Sequence, residues 1–153
     1  MEKKDLKPAG VFKYFEEICQ VPRPSKKEEK MIAYLKAFGA KHNLETKVDE
    51  AGNVLIKKPA TPGKENLQTV VLQSHIDMVC EKNNDVQHDF LTDPIETEID
   101  GEWLKAKGTT LGADNGIGVA TELAILADDS IEHGPLECLF TVDEETGLTG
   151  AFA

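Results

Sequence analysis

Two short apolar runs constrain this chain more than any other feature. Thr69-Val70-Val71-Leu72-Gln73 and Leu136 to Val142 are each bounded by loop-forming residues, and each runs straight into polar, acidic sequence. Apolar runs of this length without alternation are the pattern of strands covered on both faces, and the first is expected to sit centrally in a sheet. Between them, Asn115 to Ala127 places Ile117, Ala120, Leu123, Ala124 and Ala127 at helical spacing. Strands alternating with helices predict an α/β fold with a mixed β-sheet flanked by helices.

The remaining elements can be read from local chemistry. Val11, Phe12, Phe15, Ile18 and Cys19 recur at helical spacing behind Pro8, and the run stops before Pro22 and Pro24, where a helix is hard to continue. Ser25 and Glu28 form a capping-box pattern ahead of Met31, Ile32, Leu35 and Phe38, predicting a second helix that ends at Gly39. Leu44 to Asp49 and Val54 to Lys58 flank Ala51-Gly52-Asn53, and Ile95 to Ile99 and Glu102 to Ala106 flank Asp100-Gly101, so two hairpins are expected. No internal repeat is present, and the Pro/Gly-rich piece Pro59 to Gly63 is too short for an interdomain linker. A chain of 153 residues with 40% hydrophobic content forms one domain, burying roughly two-thirds of its unfolded surface.

Charge narrows the function classes. Seventeen Lys and Arg against 28 Asp and Glu leave a formal net charge of -11, with no basic cluster interleaved with aromatics, so nucleic acid is excluded as a partner. Met1 to Pro8 is charged rather than apolar, and no later run approaches the ~20 residues that cross a bilayer, so no membrane association and a cytoplasmic location are expected. Cys19, Cys80 and Cys138 are too widely spaced for a disulfide framework or a metal knuckle and read as reduced thiols.

Three polar clusters fall where α/β proteins place ligands, at the ends of strands or at the entrance to a helix. In Ser74-His75-Ile76-Asp77, His75 and Asp77 leave the strand on one side, so His75 can bind a metal while Asp77 orients its imidazole. Gly112-Ala113-Asp114-Asn115-Gly116-Ile117-Gly118 is a glycine-rich entrance to a helix that lacks the spacing of a phosphate loop. Asp114 is either a metal ligand or a helix cap, and the glycines point to close backbone approach around it. Asp143-Glu144-Glu145 follows the second buried strand and is either a solvated loop or part of the same site.

If the clusters converge, each like-charge pair at ~4 Å costs about 4 kcal/mol at an effective dielectric near 20, so a cation is required. Lys105 and Lys107 are the nearest bases in sequence, but one histidine among carboxylates suits a divalent metal pair better. A two-carboxylate glycosidase site is an alternative that leaves His75 and Asp114 without a task. It predicts insensitivity to chelators.

His-x-Asp after a strand, an Asp in a glycine-rich loop and Glu-Glu after a later strand, in this order, resemble the co-catalytic zinc peptidases, which include carnosinases, tripeptidases and amino-acid deacylases. Within that family the chain is most similar to the aminoacyl-histidine (Xaa-His) dipeptidases, through Gln73 to Val79, Asp100 to Leu104, Gly108 to Gly118 and Phe140 to Gly150. The resemblance implies a zinc-aminopeptidase-like catalytic domain of which residues 1–153 are the N-terminal portion, without the lid domain and the remaining catalytic segment. It implies two divalent ions, zinc foremost with cobalt or manganese as alternatives, and a small peptide substrate. His75 would ligate one ion, Asp114 would bridge both, and Glu145 would ligate the second. Asp77 would steady His75, and Glu144 would be the general base.

The resemblance also implies one further acidic ligand and one further His beyond Ala153, so residues 1–153 alone are expected to be inactive, whereas the longer chain is expected to form a homodimer. His42, His88 and His133 match no ligand position; His42 reads as a helix-end residue and the other two as loop residues. A metal- or peptide-binding role without turnover, or a related two-metal peptidase or deacylase of other specificity, are the alternatives.

Overall fold

The computed structural model describes residues 2–153. Helices α1 (Ala9–Cys19) and α2 (Glu29–Lys41) precede a hairpin of β1 (Glu45–Val48) and β2 (Val54–Lys58). Then come β3 (Val70–His75), a second hairpin of β4 (Thr97–Asp100) and β5 (Trp103–Ala106), helix α3 (Ala113–Ala127) and β6 (Leu136–Thr141). Both hairpins fall where turn chemistry places them, and the positive φ that each turn needs is taken by Gly52 and Gly101.

The main sheet has the order β1-β2-β6-β3. β1 with β2 and β2 with β6 are antiparallel, whereas β3 and β6 are parallel, so the sheet is mixed as expected. The inner positions belong to β2 and β6, and every residue of β6 is buried or half-buried. Among the described residues the Thr69–Gln73 run is neither central nor covered on both faces, contrary to expectation. β3 is an edge strand among the described residues, and Val70 and Val71 are 49% and 56% exposed. An uninterrupted apolar run records what a strand can pack against and not how many neighbours it has, and α3 shields only its end, where Ser74 and His75 are buried.

One hydrophobic core joins the elements. Phe15 and Ile18 of α1, Leu123 and Leu126 of α3, Met31 and Leu35 of α2, and Val54, Ile56 and Phe140 of the sheet are all 1% exposed or less. Cys19 and Cys138 are buried, Cys80 is half-buried, and all three are unpaired. His42 ends α2 with its ring 4.4 Å from that of Phe38.

A polar intrusion lies in this core. Glu122 of α3 is buried against Ser74 of β3 and Cys138 of β6, which ease its charge but leave Oε2 without a hydrogen bond among the described residues. Burial lifts its carboxyl to about 7, with Ser74 and Cys138 pulling in the other direction. The folded state therefore holds a proton that the unfolded chain releases near pH 4.5. That contribution is complete below this pH and is lost as pH rises through about 7. Glu122→Gln carries no such proton, so its melting temperature relative to the parent protein is expected to climb between these pH values. A difference that does not change with pH would show that the carboxyl titrates normally.

Candidate metal centre

Because β3 and β6 are parallel with His75 opposite Thr141, their carboxyl ends open side by side. The Ile76 N–H continues the ladder to the Thr141 carbonyl at 2.9 Å. His75 to Asp77 and Val142 to Glu145 therefore enter one crevice, where open α/β sheets bind ligands.

Asp77 organises that crevice. It is fully buried, and each of its oxygens accepts a main-chain bond from the neighbouring loop: Oδ1 from the Glu144 N–H at 3.0 Å and Oδ2 from the Glu145 N–H at 3.2 Å. Oδ1 also lies 3.3 Å from His75 Nδ1, and Oδ2 accepts the Ser25 hydroxyl at 2.7 Å. Burial alone would raise the Asp77 carboxyl. The bonds from His75, the Glu144 N–H, Ser25 and the Glu145 N–H outweigh it and hold the group well below the usual carboxylate range.

With Nδ1 facing Asp77, the His75 ring directs Nε2 outward, 3.1 Å from Asp114 Oδ1 and 3.8 Å from Glu144 Oε2. Burial pushes the imidazole down, but Asp77, Asp114 and Glu144 override it and place its pKa at about 9. Glu145 is raised by burial and by its neighbours Glu144, Asp77 and Asp114, with His75 opposing. Ligand atoms of His75, Glu144 and Glu145 lie within 4.8 Å of one another.

All five predicted site residues thus meet in one crevice. Asp114 makes no capping bond to α3: Asp114 and Asn115 are non-helical and kink the helix entrance, and the Asp114 side chain reaches His75 while remaining 90% exposed. Lys105 and Lys107 pair with Asp100 and Glu96 instead of entering the crevice.

Sequence reasoning missed the second layer. The Ser25–Glu28 capping box does not form, since α2 begins at Glu29 with no side-chain cap bond. Ser25 is committed to Asp77, and buried Glu28 accepts the Asp143 N–H at 2.9 Å. Asn53, in the β1–β2 turn, accepts the Val142 N–H and donates to the Gly150 carbonyl, fixing both ends of the Glu144–Glu145 loop. A capping box and a supporting layer use the same residue types, and only a long-range partner tells them apart.

The donor set fits a divalent cation. Four acidic residues surround an imidazole whose outer nitrogen faces carboxylate oxygens and whose inner nitrogen is held by a carboxylate, the arrangement of ligating histidines. The like charges gathered here favour any cation that replaces the imidazole proton.

The sequence pattern of Peptidase family M20/M25/M40 matches residues 71–153, more than half of the chain and the part that carries all five residues. The chain belongs to this peptidase family. Peptidases of the M20 group depend on metal, generally on two ions, in keeping with the donor set here. The M20 chain is 52% identical over 151 residues to the cytosol non-specific dipeptidase of Escherichia coli K12, an alignment covering 99% of this chain and 31% of that protein. Its structure superposes on the aminoacylhistidine dipeptidase of Vibrio alginolyticus with a TM-score of 0.96 at 55% identity, over 100% of this chain and 31% of the other. An aminopeptidase of Bacillus cereus gives 0.78 at 26% identity, over 94% and 39%. The M20 chain therefore spans about a third of the length of these relatives. Among the described residues, no helix is long and apolar enough to cross a membrane.

Proposed function

We propose that residues 1–153 are the N-terminal portion of the catalytic domain of a metallodipeptidase that hydrolyses Xaa-His dipeptides, including β-alanyl-histidine. The observation that carries this reading is the Asp77 network, which binds His75 and the main chain of Glu144 and Glu145 into one unit beside Asp114. In this assignment His75 Nε2, Asp114 and Glu145 would hold the ions, with Asp114 as the shared ligand, and zinc, cobalt and manganese all suit such donors. A bound pair supplies Lewis acidity and lowers the pKa of water from ~16 toward ~7. Asp77 keeps Nδ1 protonated and Nε2 free to ligate. The Glu144 carboxylate, partly exposed at the crevice, takes the proton of the attacking water and returns it to the leaving amine. The other ligands of a two-ion centre are expected from the rest of a protein of the relatives' length, which we expect to act in the cytosol as a homodimer.

A second reading, broad dipeptide specificity, is favoured by the name of the Escherichia coli relative, a non-specific dipeptidase. Both are tested by assaying the complete protein on β-alanyl-histidine, leucyl-histidine and a dipeptide without histidine, before chelation, after it, and after zinc is restored. Hydrolysis that disappears and returns supports the metallopeptidase, and the ratio among substrates separates the two specificities. Turnover indifferent to chelation would overturn both.

A further inference from the structure

Arg23 is the least expected residue of the molecule: a guanidinium only 2% exposed, in a segment between prolines, hydrogen-bonded to main-chain carbonyls. Nη1 donates to the carbonyls of Ile76 at 3.1 Å and Asp77 at 3.3 Å, and Nη2 donates to that of Gly112 at 2.7 Å. The first two carbonyls belong to the turn that presents His75 and Asp77; the third lies two residues before Asp114. The Asp77 carbonyl is also 3.2 Å from His75 Nδ1, so Arg23 and His75 converge on one oxygen.

The glycine-rich loop is shaped around this side chain. A Cβ on Gly112 would lie 2.6 Å from Nη2, and one on Gly116 would lie 2.7 Å from it. Gly112 also carries a φ of +67° that other residues rarely adopt. Burying a guanidinium is costly unless its donors are satisfied, and charge-assisted bonds to carbonyls are about twice as strong as neutral ones. The arrangement makes sense if fixing those carbonyls is its purpose.

We propose that Arg23 is a positioning residue that clasps the turn after β3 to the loop before α3 and so sets the distance between His75 and Asp114. This rests on the assignment of those two residues as metal ligands. A planar fork is needed, because Nη1 serves two of the three carbonyls and Nη2 the third; an ammonium is a point donor and cannot span them.

The test compares the complete protein with Arg23→Lys and Arg23→Ala. Zinc binding is followed by competition with a chelating dye, and amide hydrogen exchange is followed over residues 112–118. Zinc affinity is expected to fall on the order of 10- to 100-fold, the loss typical of groups that orient ligands. Exchange of the Gly116 amide, which bonds the Gly112 carbonyl, is expected to quicken while amides of β6 stay protected. Guanidinium added to Arg23→Ala well below denaturing concentration is expected to restore both, and Lys is expected to restore neither. Parental zinc affinity and unchanged exchange in either variant would overturn the clasp. If Arg23→Ala does not fold, Arg23→Lys decides alone. If the parent protein binds no zinc, the metallopeptidase reading is what fails, and the exchange measurement still judges the clasp.

Discussion

Glu144→Gln in the complete protein is expected to lower kcat by about 100- to 10,000-fold, the usual worth of a positioned general base, with metal content unchanged. Gln matches Glu in size, and the main-chain N–H that docks the loop on Asp77 is untouched, so the crevice keeps its shape. The amide, however, cannot accept the proton of the attacking water. Glu145→Ala should give the opposite pattern: a carboxylate that shares the crevice with His75 within ligand distance is removed, and metal content falls. Steady-state kinetics beside metal analysis of both variants checks the assignment, and loss of metal from Glu144→Gln would mean that the two glutamates have been exchanged.

Asp77→Asn is expected to weaken metal binding by about 10- to 100-fold and to cost about 1–3 kcal/mol of stability as well. Each oxygen of Asp77 accepts one main-chain N–H, from Glu144 on one side and Glu145 on the other. An asparagine offers one oxygen and one NH2. Whichever way it turns, a donor faces a buried donor, and the loop carrying the two glutamates loses a tie. Ser25→Ala removes a single hydroxyl bond to the same carboxylate and serves as the mild control. Metal titration and thermal unfolding distinguish the two; parental behaviour of Asp77→Asn in both would show that the network does not hold the centre.

What was legible in the sequence was whatever local chemistry determines. Gly52 and Gly101 announce their turns because few other residues take the positive φ found there. The helical spacing of α1 and α3 maps onto buried Phe15, Ile18, Ala120 and Leu123, while Ile117 is exposed. The five site residues could be proposed because strand ends in α/β sheets deliver side chains to a common edge. The misreadings are non-local. Ser25 and Glu28 look like a cap from within their own segment, but their partners Asp77 and Asp143 lie 52 and 115 positions away. Arg23 gave no sign at all, because its partners are carbonyls, which every residue has. The valines of β3 have one neighbouring strand among the described residues, β6, and stay exposed there.

The order β1-β2-β6-β3 has a consequence for how the molecule comes into being. Of the four described strands β6 comes last in sequence, and β2 and β3 each pair with it and not with one another. As the chain leaves the ribosome, the β1–β2 hairpin emerges with α2 to lean on but no third strand, and a two-stranded ribbon is by itself at best marginally stable in water. β3 follows without a partner. Until residues 136–141 arrive, both must wait with hydrogen-bonding edges open, the condition in which chains recruit chaperones or stick to one another. Arrival of β6 then closes two pairings at once and, in the next few residues, brings Glu144 and Glu145 down onto Asp77. Pairing of the four described strands and docking of the Glu144–Glu145 loop on Asp77 therefore hang on one strand.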